Sequence, residues 1–329
     1  MLLSEFLKDQ KNSQYMKTRD AGFVEADHPR GQPDNPGQFV AGGGSTSEQK
    51  SIKTKASNNF EETKRDGDGK LIRADGKALP NHIAKLKIPP AWKNVIYNPD
   101  EKANMLLVGQ DAAGRRQVLY SDKFKNKNAQ AKFKRIQELD KKFDLIVKQN
   151  DASLKENKEE ALITKLIMQT GIRPGGEEET RAKVKAYGAT TLEGRHIIAN
   201  KEGVTLSFIG KKGVQNNIPV EDKQLVKFLQ ERSKDKDQRI FQTDGGSLLK
   251  YVHSLDGGKF KTKDFRTLLG TKTAIGLIEK EKPPKNEKEY KIKVKEVAKQ
   301  VAMKLGNTPT VCLQAYINPS VFSEWRIKI

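Results

Sequence analysis

The stretch that most restricts the fold is a hairpin pattern set inside an otherwise helical half of the chain. Val204-Thr205-Leu206-Ser207-Phe208-Ile209 alternates apolar and polar residues and runs into Gly210-Lys211-Lys212-Gly213; Val214-Gln215-Asn216-Asn217-Ile218-Pro219-Val220 follows. A short polar turn bounded by glycines between two such runs predicts paired antiparallel strands. Lys211 then stands at a loop tip, exposed and directable. Around it the period is helical. Phe133, Ile136 and Leu139, then Leu162, Leu166 and Ile167, recur at helix spacing. The helix over 161–169 ends at Gly171-Ile172-Arg173-Pro174-Gly175, where Gly and Pro stop it. The acidic run at 177–179 predicts another helix start, because carboxylates favour that end. Residues 280–288, charged and broken by Pro283 and Pro284, read as a linker between helices.

Residues 59–127 behave differently. Short apolar stretches alternate with the turn signals Asp66-Gly67-Asp68-Gly69, Asp75-Gly76 and Asp111-Ala112-Ala113-Gly114. Residues 105–109 and 117–120 read as the two strands of a hairpin. Residues 1–58 are rich in loop chemistry and poor in periodic apolar positions, so a disordered tail is expected, with a short amphipathic helix over 2–16. The expected class is α+β: a disordered tail (1–58), a small β-rich domain (59–127) and a larger, mainly α-helical domain (128–329) whose hairpin carries Lys211.

The 329 residues carry a formal net charge of +20, which points to a polyanionic partner, nucleic acid first. A membrane partner is disfavoured, because there is no apolar run long enough to span a bilayer and no basic amphipathic helix with aromatic anchors. The single cysteine, Cys312, excludes an internal disulfide and a thiolate metal cluster; a reducing intracellular compartment fits. His28, His82, His196 and His253 lack metal-ligand spacing. The run at 66–69 opens like a calcium loop, but Lys77 occupies the twelfth position, where a glutamate is needed. No Gly-x-x-x-x-Gly-Lys-Ser/Thr loop is present. No cofactor and no metal are expected.

The residues with chemistry are cations followed by a phenol. Arg173 sits at a helix–helix junction; an arginine fork can pair both nonbridging oxygens of a phosphate. Lys211 has neighbouring cations that make a lysine a better proton donor. Arg266 lies in Lys263-Asp264-Phe265-Arg266-Thr267, ahead of an apolar helix-like run, with Asp264 placed to cap or pair locally. Asn307, after Gly306, has an amide N–H suited to a phosphate oxygen. Tyr316 ends the segment that begins at Leu305. Each residue alone also fits a surface turn, a helix start or a core aromatic. Together, a phenol and a set of fixed cations are what phosphodiester transfer without a metal requires.

These strings, with 82–92, 109–117 and Tyr187-Gly188-Ala189-Thr190-Thr191-Leu192, resemble the type IB DNA topoisomerases in their bacterial and poxvirus-like form, over roughly residues 70 to 329. Each string is modestly specific, whereas their order and spacing are highly so. The resemblance implies that Tyr316 attacks a DNA phosphate and forms a 3′-phosphotyrosyl bond. It implies that Arg173 and Arg266 hold the nonbridging oxygens, that Lys211 protonates the departing 5′-oxygen and that Lys263 assists near it. Asn307 fills the slot of a histidine in poxvirus and nuclear enzymes; it can donate a hydrogen bond but cannot carry a charge. Gln117 and Tyr120 match DNA-contacting positions, with Val118 where a poxvirus-type enzyme has tyrosine. Arg115, Arg116 and Lys212 are read as further DNA-binding residues.

The implied activity is ATP- and metal-independent relaxation of supercoiled duplex DNA by a monomer that clamps it, in the cytoplasm or nucleoid of a bacterial or phage-infected cell. The tail's partner is left open. A tyrosine recombinase shares the basic set, but it usually has histidine where Lys263 stands and a helical N-terminal module. A noncatalytic basic DNA-binding protein would show no dependence on Tyr316.

Overall fold

In the computed structural model, residues 59–176, 184–201 and 203–327 are described. The expected tail, its helix over 2–16 and the acidic helix start at 177–179 lie outside the described residues. The chain divides into two compact units between Lys134 and Arg135. Among the described residues no helix is long and apolar enough to cross a membrane.

Residues before that division form an antiparallel sheet of β1 (Glu61–Arg65), β2 (Leu71–Arg73), β3 (Lys93–Tyr97), β4 (Met105–Gln110) and β5 (Arg116–Tyr120), in the order β2-β1-β3-β4-β5. The hairpin read at 105–120 is β4–β5, with Val108 opposite Val118. The aspartates of the turn signals make these turns: Asp66 Oδ1 accepts the N–H of Asp68 and Lys70, and Asp111 Oδ1 those of Ala113 and Arg115. Such Asx turns satisfy backbone donors that the strands leave unpaired. A short helix α1 (Asn81–Ala84) presents Ile83 to a small core with Trp92, Val95, Tyr97 and Leu107.

The long helix α2 (Asp122–Lys155) crosses the division. In the second unit its Ile136, Leu139, Phe143 and Ile146 join a core with Leu162, Ile163, Leu166 and Ile167 of α3 (Glu159–Thr170). Burying one such leucine contributes about 2 kcal/mol. Strands β6 (Ile197–Asn200), β7 (Gly203–Ile209) and β8 (Gln215–Val220) form a second antiparallel sheet. Ser207 pairs with Asn217 and Ile209 with Gln215, and Lys211–Gly213 is a single 3₁₀ turn between β7 and β8. Val204, Leu206 and Phe208 face the core with Ile218 and Val220, as a period of two dictates. The strand β6 was not expected; four residues without clean alternation carry little signal, and pairing with β7 makes the strand.

Helices α4 (Lys223–Arg232) and α5 (Gly245–Ser254) are N-capped by Asp222 and Asp244. Next comes α6 (Thr262–Ile278), one continuous helix where a cation cluster followed by a separate apolar run was read. It is buried on all sides from Asp264 to Thr271, as a helix through the middle of a core must be. Beyond the 279–286 linker, α7 (Glu287–Leu305), α8 (Pro309–Ala315) and α9 (Ser323–Ile327) close over the end of α6, in a core with Leu269, Val301, Leu305, Cys312 and Trp325.

Asp264 caps locally and also pairs far away. Its carboxylate accepts the N–H of Lys261 and a two-pronged contact from Arg135 at 2.8 and 3.0 Å. The Asp264 side chain is 1% exposed and that of Arg135 24%. Arg135→Met should lower the unfolding free energy by about 3 kcal/mol, because it strands a buried carboxylate. Adding Asp264→Leu should recover part of that loss, as read by urea unfolding; a double variant less stable than the single one contradicts the pairing.

Candidate active site

Arg266 is the centre of the site, and it points inward. It lies on α6, 3% exposed. One terminal nitrogen donates to the carbonyl of Gly171, the left-handed C-cap of α3, and the other to the carbonyl of Leu305, the last residue of α7. Helix C-termini present unsatisfied carbonyls and the negative end of the helix dipole, so two of them compensate a buried cation. Nε of Arg266 is buried with no hydrogen-bond partner among the described residues. Burial, and then the charge of Arg173, pull the guanidinium down to about 10, leaving it protonated at neutral pH.

The phenol of Tyr316 lies against this cation, the Arg266 guanidinium carbon standing 4.9 Å from the ring centroid. Tyr316 ends α8 as its C-cap. Its carbonyl accepts the Thr271 hydroxyl at 3.1 Å, and that hydroxyl oxygen accepts the N–H of Asn318 at 3.2 Å. A methyl group on Gly270 would come within 2.8 Å of the same carbonyl. One helix, α6, therefore carries both the buried arginine and the surface that seats the tyrosine backbone. Burial pushes the Tyr316 phenol up, but the charges of Arg266 and then Arg173 outweigh it and hold the phenol below its ordinary value.

Arg173 completes the group. Its terminal nitrogen donates to Asn307 Oδ1 at 2.7 Å. The backbone of Arg173 and Pro174 is fastened by the 187–192 string: Ala189 N–H donates to Arg173 O and Thr190 N–H to Pro174 O, both at 2.8 Å. Asn307 is not the N-cap of α8. Thr308 is, accepting the N–H of Val311, while the Asn307 N–H closes the end of α7 on Ala302 O. This leaves the Asn307 side chain for Arg173.

Of the residues singled out from sequence, Tyr316, Arg266, Arg173 and Asn307 are thus brought together by direct contacts. Lys211 is exposed on the β7–β8 turn and Lys263 is half-buried in the first turn of α6. Lys212 shares the turn; its side chain lies outside the described set. In the first unit, Arg115 pairs with Asp111 at 2.8 Å and Gln117 donates to the same carboxylate at 3.0 Å. Arg116 reaches Met105 Sδ, and the Tyr120 ring stands 5.0 Å from that of Phe124. Cys312 is buried in the α7–α8 core, and burial pushes its thiol up to about 12, so it is inert at neutral pH. Sequence reasoning missed Thr271, Gly270 and Arg135. Gly270 carried a signal in being a glycine one helical turn beyond Arg266.

The electrostatics can be measured directly. Ultraviolet difference titration of the protein against Tyr316→Phe should show a phenol titrating below 10.0. Arg173→Ala removes one of the two cations and should move the midpoint upward, while Arg173→Lys moves it less. An unchanged midpoint in Arg173→Ala would contradict this coupling.

The sequence profile of the eukaryotic DNA topoisomerase I catalytic core matches residues 121–324. DNA topoisomerase 1B of Acanthamoeba polyphaga mimivirus is 28% identical over 274 residues, which is 74% of this chain and 81% of that protein. DNA topoisomerase 1B of vaccinia virus (strain Copenhagen) is 23% identical over 257 residues, covering 74% and 78% of the two chains, and DNA topoisomerase I of monkeypox virus is 22% identical over the same length. The matched profile takes in α2 through the first residues of α9, and with them Arg173, Arg266, Asn307 and Tyr316: the chain belongs to the DNA topoisomerase I catalytic-core family and is a type IB DNA topoisomerase.

Proposed function

We propose that this topoisomerase relaxes supercoiled duplex DNA with Tyr316 as its nucleophile, Arg173 and Arg266 as its phosphate-stabilising cations and Lys211 as the proton donor to the leaving group. The observation that carries the reading is the contact of one phenol with one buried guanidinium, beside a second arginine oriented by Asn307. Cations that lower a phenol's pKa increase its nucleophilic form at neutral pH.

The phenolic oxygen attacks the phosphorus, its proton passing to water, and a P–O bond to tyrosine forms as the P–O5′ bond breaks. The 5′-oxygen takes a proton from Lys211. Negative charge concentrates on the nonbridging oxygens in the transition state, where fixed donors are worth about 10²–10³ in rate each in a well-studied protease. Arg266 donates one N–H of each terminal nitrogen to a carbonyl, which fixes the cation and leaves its other N–H groups to serve this charge. Arg173 is half-buried and held by one side-chain bond, which suits direct contact with a phosphate oxygen. Lys263, one helical turn before Arg266, assists near the leaving oxygen. Phenolate leaves more readily than an alkoxide because tyrosine has a pKa of about 10, so the free 5′-hydroxyl can attack the adduct and restore the strand without ATP. While the strand is open, torsion in the duplex drives rotation.

Gln117 and Tyr120, with Arg115, Arg116 and Lys212, are proposed to contact DNA. The Asp111 carboxylate orients Arg115 and Gln117 together. The enzyme is proposed to act as a monomer.

Plasmid relaxation in EDTA without nucleotide tests the reading. Both supercoil signs should relax, and Tyr316→Phe should abolish relaxation and covalent capture while duplex binding persists. A strict need for magnesium or ATP, or an adduct formed by Tyr316→Phe, would contradict it. Lys211→Ala should slow cleavage, and the defect should shrink when the leaving oxygen is replaced by sulfur, which needs no proton donor; an undiminished defect would remove Lys211 from that role.

A further inference from the structure

Asn216 is a polar residue in a line of buried apolar ones. Along β8 the side chains alternate outward and inward, and Asn216 shares the inward face with Ile218 and Val220 at 4% exposure. A buried amide is costly unless it is hydrogen-bonded, so its position has a physical reason. Nδ2 of Asn216 donates to Val214 O at 2.8 Å, and the N–H of Gly210 donates to the same carbonyl at 2.8 Å. That carbonyl thus draws together the two ends of the turn that carries Lys211.

The other end of the amide meets a different part of the chain. A Cβ on Gly306 would overlap Asn216 Oδ1, and a Cβ on Gly210 would overlap Nδ2. Gly306 is the left-handed residue, φ 58°, that ends α7. It lies between Leu305, whose carbonyl holds Arg266, and Asn307, whose amide oxygen holds Arg173. One side chain therefore touches both the Lys211 turn and the backbone link between the anchors of the two arginines. The turn itself is short: the Gly213 N–H donates to Gly210 O at 3.1 Å, and a Cβ on left-handed Gly213 would meet open space, so the packing that places the turn comes from its Gly210 end.

We propose that Asn216 is a positioning residue that sets where the Lys211 turn stands relative to Arg173, Arg266 and Tyr316. The inference rests on the reading of Lys211 as the leaving-group donor. A group that acts by placing Lys211 has a kinetic signature that a general packing role lacks: its loss matters only when the leaving group needs a proton. Misplacement by about 1 Å in an active site can cost about 10²-fold in rate.

Single-turnover cleavage of duplexes with an ordinary 5′-oxygen or a bridging 5′-sulfur at the scissile position separates the possibilities, with Lys211→Ala, Asn216→Ala, the double variant and Arg173→Ala compared. Asn216→Ala should cleave the oxygen substrate about 10²-fold slower and the sulfur substrate within a few-fold of the parent enzyme. The double variant should be no slower than Lys211→Ala alone, and Arg173→Ala should stay slow on both substrates. Asn216→Ala equally slow on both substrates, or losses that multiply with those of Lys211→Ala, would overturn the proposal while leaving Lys211 in its role. Lys211→Ala without recovery on sulfur would instead overturn the reading of Lys211, and this inference with it. Recovery on sulfur itself demonstrates a folded enzyme; if Asn216→Ala does not fold, Asn216→Ser is read by the same ratio.

Discussion

The structure depends on a buried charge. The Arg266 guanidinium is enclosed among α3, α6 and α7 and is kept charged by the carbonyls at the ends of two helices. Taking an isolated cation out of water costs many kcal/mol, so the compensation must be geometrically fixed. The chain achieves this by ending α3 and α7 at left-handed glycines, Gly171 and Gly306, which turn the backbone away while leaving the last carbonyls exposed to the arginine. Displacement of either helix end would take away one of the cation's two carbonyl partners, so the ends of α3 and α7 are tied to α6 by electrostatics as well as by packing.

This one constraint places the rest of the site. Two residues after Gly171 and one after Gly306 stand Arg173 and Asn307, which meet each other, so the second arginine is located by the same helix ends that hold the first. Four and five residues beyond Arg266, Gly270 and Thr271 seat the Tyr316 backbone. The phenol, a poor nucleophile at neutral pH in water, thereby lies in the field of two cations that do not have to reorganise when charge develops. Arg266 is anchored through one N–H of each terminal nitrogen, and Arg173, half-buried after α3, is held by the Asn307 side chain.

Much of this was legible in the sequence where a period or a punctuation mark carries it. The β4–β5 hairpin and the helices through Phe133 and Leu166 follow from apolar spacing, and the stop after Thr170 from Gly171 and Pro174. The cation set and the phenol were legible as residue types in order. Their embedding was not. Arg266 is flanked by Phe265 and Leu268, which mark a buried helix, yet an arginine in such a run reads locally as a surface cation until its carbonyl partners, 95 and 39 residues away, are known. Arg135 and Asp264 are 129 residues apart and carry no local signal of their pairing. Strand β6 exists through its ladder with β7, and Asn216 reads as turn-proximal polarity until its burial against Gly306 is seen. Long-range electrostatic compensation has no period in sequence, whereas hydrophobic burial does.

The central claim is that the field of Arg266 and Arg173 selects one phenol as the nucleophile. Its most direct test is to trap the protein on a nicked duplex from which the short leaving fragment with the 5′-hydroxyl dissociates, digest the adduct and map the modified residue by mass spectrometry. The account predicts a nucleotide on Tyr316 alone, joined through a 3′-phosphate. Modification at Cys312, at another tyrosine or through a 5′-phosphate would contradict it.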